Sequence, residues 1–147
     1  MKYVMLIAGG DEGWEDLGPD ELRAEYDRIF AYMDKWEALG KIVSGGAELE
    51  HPRTARTVRK GADGELAVVD GPYVELKEYL GGFLRLECDD LDEAVAVASG
   101  WPGIEHGAVV EVRPVVLHNT GSPEAQAAAT SPGAATSPGA AEEGAQG

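Results

Sequence analysis

Apolar positions along residues 1–118 recur at two periods, and the period separates strand from helix. Residues 2–8 form a short run of strand formers (Tyr3, Val4, Met5, Leu6, Ile7), closed by Gly9-Gly10. The spacing then changes and predicts a helix over 19–39. Pro19 suits a first helical turn, and Asp20 and Glu21 stand at the positive end of its dipole. Leu22, Tyr26, Ile29, Phe30 and Met33 recur at helical spacing, and Gly40 is the expected stop. Residues 41–44 read as a short strand ending in Gly45-Gly46. Residues 54–60 and 65–69 are extended on either side of Gly61-Ala62-Asp63-Gly64, a hairpin-turn signature. Residues 83–88 alternate, with Leu84, Leu86 and Cys88 on one face and Phe83, Arg85 and Glu87 on the other. Asp90 and Glu93 have capping-box spacing before a second helix, with Leu91, Ala94, Val95 and Ala98 as its buried stripe and Gly100 as its end. Residues 107–113 alternate again, Val110 and Val112 opposite Glu111 and Arg113.

Two helices against an antiparallel sheet predict an α+β two-layer sandwich. Both helices cover one sheet face. The other, carrying Phe83, Arg85, Glu87, Val109, Glu111 and Arg113, is half apolar, as expected of a face buried against a second copy or lining a cleft. The 147 residues suffice for one core, assigned to 1–118. Residues 119–147 contain no Lys, Arg, Val, Ile, Leu or aromatic residue and repeat the hexad Ala-Thr-Ser-Pro-Gly-Ala. They read as a disordered tail, a spacer or a partner-binding tether.

Charge removes several function classes. With 27 Asp and Glu against 12 Lys and Arg, the formal net charge is -15, which repels phosphate backbones and anionic headgroups. Neither nucleic acid nor a membrane is an expected partner. The apolar run near the N-terminus is too short for a signal segment, no stretch approaches the roughly 20 apolar residues of a membrane helix, and the expectation is a cytoplasmic protein. The single cysteine, Cys88, excludes an intramolecular disulfide and falls on the core face.

The run Val69-Asp70-Gly71-Pro72-Tyr73-Val74-Glu75-Leu76-Lys77-Glu78, followed by Leu80-Gly81-Gly82-Phe83, resembles the Asp-Gly-Pro-Phe, Glu-x-Lys-Glu and Gly-Gly signature of the YCII-related, DGPF-type domains. Tyr73 stands where those domains carry Phe. The opening Met-Lys-Tyr-Val-Met-Leu-Ile and the closing Val110-Glu111-Val112-Arg113-Pro114 are similar as well, so the resemblance covers about residues 1–115. It implies a ferredoxin-like fold that pairs through its sheets into a dimeric α+β barrel, hence a homodimer. It also implies a small enzyme without a cofactor, acting on lactone-like substrates through a His–Asp pair in a cleft. The expected substrate of this chain is a small lactone-like or carboxylate molecule, with Asp70 as acid/base. The histidine of those relatives lies in the first helix; the helix at 19–39 has none, so only Asp70 has a counterpart. DGPF-type proteins are often encoded beside extracytoplasmic-function sigma factors, which implies the alternative of a ligand-sensing or regulatory module.

The residues themselves offer few further candidates. Asp70 at a strand end is either a turn residue or a general base, and His106 before the last strand is the best remaining base. Glu75 and Lys77 are substrate-binding candidates, although a Glu-x-Lys-Glu run also suits a solvated face. Arg53, Arg56, Arg59 and Lys60 supply four of the 12 basic residues. They either guard an exposed strand edge or attract a small anionic ligand, with Arg56 as the contact. His51, His106 and His118 lie too far apart for a short-spacing metal motif.

Overall fold

The computed structural model describes residues 1–73 and 78–118. In chain order the elements are β1 (Lys2–Gly9), α1 (Pro19–Ala38), β2 (Ile42–Glu48), β3 (Arg56–Lys60), β4 (Leu66–Asp70), β5 (Tyr79–Glu87), α2 (Leu91–Ser99) and β6 (Val109–Pro114), with 3-10 turns at Pro52–Thr54 and Pro102–His106. Among the described residues, four strands form one sheet in the order β2-β5-β1-β6, while β3 and β4 pair only with each other. β5 is antiparallel to both neighbours, β1 and β2. Without the β3–β4 ribbon, the remaining elements have the strand-helix-strand-strand-helix-strand order of a ferredoxin-like α+β sandwich.

Strand alternation places the core. Tyr3 and Met5 of β1, Ile42 of β2, and Leu84 and Leu86 of β5 point to one face, where Tyr32, Ala94, Val97 and Ala98 of the helices meet them. Met5, Leu86 and Val97 are wholly buried, each contributing about 1.5–3 kcal/mol. Tyr32 ties the helices together: its hydroxyl donates to the Val97 carbonyl at 2.6 Å, and its ring meets Trp101 edge-on at 5.5 Å. Burial pushes the Tyr32 phenol well above its ordinary pKa.

Both helices are rotated from the expected stripes. In α1 the core residue is Tyr32, whereas Phe30 is 57% exposed and Leu22 is also exposed. In α2 Val97 is buried and Leu91 and Val95 are exposed. The small Ala94 and Ala98 let α2 settle closely on the sheet, and Val97, between them on the same face, fills the gap. The capping box forms in modified shape. Asp90 accepts from the Glu93 N–H at 2.8 Å, while Glu93 accepts from the N–H of Asp89 at 2.6 Å, one residue further back.

β2 extends beyond its expected end because the chain bulges at Ser44-Gly45-Gly46. Val43 faces Arg85 and Ala47 faces Phe83, so extra residues are accommodated between them. Gly45 has φ +104°, and a Cβ on Gly46 would lie 2.6 Å from the Phe83 carbonyl oxygen. On the opposite edge of β5, a Cβ on Gly81 would meet nothing closer than 3.9 Å. Gly46→Ala should therefore lower stability by about 1–3 kcal/mol through backbone displacement, and Gly81→Ala by much less. Urea midpoints measure the difference; equal midpoints would show that the bulge yields freely.

Candidate functional site

A cavity of about 840 Å³ opens between α1 and the sheet, with Leu22, Tyr26, Ile29, Phe30 and Met33 on its helical wall. The apolar stripe expected of α1 is thus real, but much of it faces the cavity instead of the core. Its opposite wall includes β2 around the bulge and Gly81 to Leu84 of β5. At one end the lining turns polar with Asp11, His51, Arg53 and Tyr79.

Strand order assembles that end. Asp11 follows the end of β1, His51 follows the end of β2, and Tyr79 opens β5, which runs between them in the opposite direction. Three residues far apart in the chain therefore meet at one edge of the sheet. His51 caps the Pro52–Thr54 turn, its Nδ1 accepting from the Arg53 N–H at 3.0 Å and its carbonyl accepting from the Thr54 hydroxyl at 2.8 Å. An Nδ1 that accepts carries no proton, so the neutral ring bears its hydrogen on Nε2. That Nε2–H donates to Asp11 Oδ2 at 3.2 Å. The Tyr79 hydroxyl donates to the other oxygen of Asp11, and the His51 and Tyr79 rings lie 5.1 Å apart.

The electrostatics follow from these bonds. The Tyr79 hydroxyl foremost, acting against burial and helped by the weaker pull of His51, holds the Asp11 carboxyl below its ordinary value. The same Asp11 bond pushes the Tyr79 phenol up to about 12. Asp11 is thus an ionised acceptor, fixed by two donors, with its side chain still 46% exposed. Its spare lone pairs can accept an O–H or N–H of a ligand. In this arrangement His51 orients Asp11 and has no free ring nitrogen.

The expected site residues lie elsewhere. Asp70 ends β4 with its side chain 94% exposed, 3.5 Å from Arg56, its partner across the ribbon. Neither residue lines the cavity, and the enclosure that an acid/base role at Asp70 requires is not formed around it by the described residues. His106 ends the second 3-10 turn, its ring 5.2 Å from Trp14 and its Nε2 3.1 Å from Glu25 Oε2 but off the hydrogen-bonding direction. No contact joins His106 to Asp70 among the described residues. Glu75 and Lys77 lie outside the described residues, as does the tail at 119–147. Sequence reasoning missed Asp11 and His51; the available signals were an Asp straight after a strand-ending Gly-Gly and a His-Pro step after the next strand.

Among the described residues no group of three or more His, Cys, Asp or Glu could hold a metal ion, and no helix is long and apolar enough to cross a membrane.

Fold and cavity together define a small α+β domain with a ligand-sized cleft ending in a tyrosine–carboxylate–imidazole cluster. Residues 1–119 match the YCII-related domain, and the chain belongs to that family. It is 38% identical over 122 residues to an uncharacterized protein of Rhizobium meliloti (strain 1021), covering 82% of this chain and 97% of that one. Among solved structures it is similar to 5-chloro-2-hydroxyhydroquinone dehydrochlorinase of Burkholderia phenoliruptrix AC1100, in complex with 2,5-dihydroxybenzoquinone. The identity is 19%, covering 81% of this chain and 96% of that chain, with a TM-score of 0.42.

The cluster has a titration signature. Stability from the Tyr79 phenol is complete below its ordinary 10.0 and is lost as pH rises through about 12; that from Asp11 is lost as pH falls through its lowered value. Ultraviolet titration of the tyrosines should show one ionising at about 12. In Asp11→Asn that step should move down toward 10.0. An unmoved step would mean that the Tyr79–Asp11 bond does not form in solution.

Proposed function

We propose that the protein binds a small, largely apolar molecule in the cavity beneath α1 and performs acid–base chemistry on it at Asp11, with Tyr79 and His51 as positioning residues. One observation carries this reading: Asp11 accepts from two donors yet remains open to the cavity. A bound hydroxyl or enol would donate to the spare lone pairs of the carboxylate, which serves as anchor or proton acceptor. The apolar wall supplies affinity, and a cavity of about 840 Å³ is ample for such a molecule. The acid/base role expected of Asp70 passes in this reading to Asp11, and the arginine contact expected of Arg56 passes to Arg53. Among the described residues, Asp11, Glu15, Glu37 and Glu48 line the cavity against Arg53 alone of the lysines and arginines. That balance favours a neutral hydroxylated or lactone-like ligand over the small anion expected from the basic cluster.

The second reading is a ligand sensor without turnover, such as a regulatory module acting beside an extracytoplasmic-function sigma factor. The engagement of both His51 ring nitrogens favours it, because among the described residues His51 is the histidine that lines the cavity and it offers no free base there. Both readings predict binding, and product analysis separates them. Small lactones and hydroxylated rings that raise the melting temperature of the wild type identify ligands. Asp11→Asn should stay folded and weaken their binding about tenfold or more, roughly 1.4 kcal/mol, while Asp70→Asn leaves it unchanged. If only Asp70→Asn abolishes binding, the role returns to the ribbon and the cavity reading fails.

We also propose that two copies pair through the uncovered sheet face into an α+β barrel. Leu6 faces Phe83 and Val4 faces Arg85 there, and Val109 is exposed beside them. Light scattering on the eluting gel-filtration peak should give twice 15.5 kDa; a monomer at micromolar concentration would reject the barrel.

A further inference from the structure

The cavity contains a second tyrosine–carboxylate pair. Tyr26 of α1 donates its hydroxyl to Glu48 Oε1 at 3.2 Å, and both residues line the cavity that Asp11 and Tyr79 close at its polar end. The Tyr26 ring is held between Trp14, at 6.4 Å, and Phe30, at 6.2 Å, so its hydroxyl has a defined direction. Glu48 ends β2 opposite Gly82, and Tyr79 lies three residues before Gly82 on β5. Along a strand that is about 10 Å, so the backbone anchors of the two pairs are well separated. A carboxylate accepting one hydrogen bond keeps lone pairs for another. Burial, and after it Glu48, raises the Tyr26 phenol above its ordinary pKa, which keeps the hydroxyl a neutral donor.

We infer that Tyr26 and Glu48 form a second polar subsite, so that the cavity takes a neutral ring-sized molecule with a hydrogen-bond donor at each of two opposite ends, one met by Asp11 and the other by Glu48. The inference rests on the proposed role of Asp11 as a ligand anchor. It goes further by fixing the ligand's chemistry: an apolar middle flanked by two hydroxyl or N–H groups. The middle lies against α1, whose Leu22, Ile29 and Met33 offer no polar group. Glu48 also explains why a carboxylate is unsuited to that end, since two anions would face one another.

Hydroquinone and its monomethyl ether, kept under argon, are matched probes: the same ring, with two donors or one. Calorimetry on the full chain should give hydroquinone about tenfold tighter binding than the ether to the wild type. Glu48→Ala should remove the difference by weakening hydroquinone alone, with the ether unchanged; Tyr26→Phe should reduce it in the same direction. Asp11→Asn should weaken both probes. Equal affinities in the wild type, or a difference that survives Glu48→Ala, would overturn the second subsite and leave the Asp11 reading standing. If Asp11→Asn changes neither probe while Glu48→Ala weakens hydroquinone, the Asp11 reading fails and the Glu48 contact survives. No binding of either probe to the wild type would overturn the inferred ligand class.

Discussion

The structure depends on the position of β5 between β1 and β2. It is hydrogen-bonded on both edges to strands whose ends lead to Asp11 and His51, and it contributes Leu84 and Leu86 to the core. Because it runs antiparallel to both neighbours, its start lies towards their ends, Tyr79 opposite Gly9 of β1 and Gly82 opposite Glu48 of β2. That polarity alone brings Tyr79, Asp11 and His51 together. The bulges on its two edges, opposite Gly45-Gly46 and at Gly81, shape the wall below them, where a side chain at Gly46 or Gly82 would strike carbonyl oxygens of the adjoining strand.

α1 serves two surfaces. Tyr32 joins the core and binds α2, while neighbouring turns present Tyr26, Ile29, Phe30 and Met33 to the cavity. A helix with so wide an apolar arc normally buries all of it. Here part of the arc stays uncovered, which is the physical basis for assigning it to a ligand. The tyrosine–carboxylate pairs then supply direction where the apolar wall cannot. An acidic chain thereby holds carboxylates at an apolar surface, each accepting from a phenol hydroxyl and, at Asp11, from an imidazole as well.

Much of the fold was determined by the sequence itself. Period-two alternation in β5 and β6, the stops at Gly9, Gly40 and Gly100, Pro19 at a helix start and Asp90 at another are local signals with local physical causes, and each holds; the stop expected at Gly45-Gly46 does not, because the strand bulges there and runs on to Glu48. The family signature along residues 69–83 extends that legibility to the whole domain. What failed was the facing of the helices. Periodicity marks which residues share a side but not whether that side meets the core or a cavity, so Phe30 and Val95 were misplaced and Tyr32 and Val97 overlooked.

The candidate site belonged to the tertiary structure. Asp70 drew attention because its neighbours form a motif, yet β3 and β4 pair only with each other and leave its carboxylate in solvent. Asp11 and His51 are separated by 40 residues, with no spacing rule to connect them. Their meeting follows from the order β2-β5-β1, a consequence of non-local pairing that a linear pattern does not encode. The sequence determined by itself which segments are strands and helices, because backbone propensity and alternation are short-ranged. Only the tertiary structure decided which acid and which histidine share a cleft, because proximity across a sheet is set by strand order.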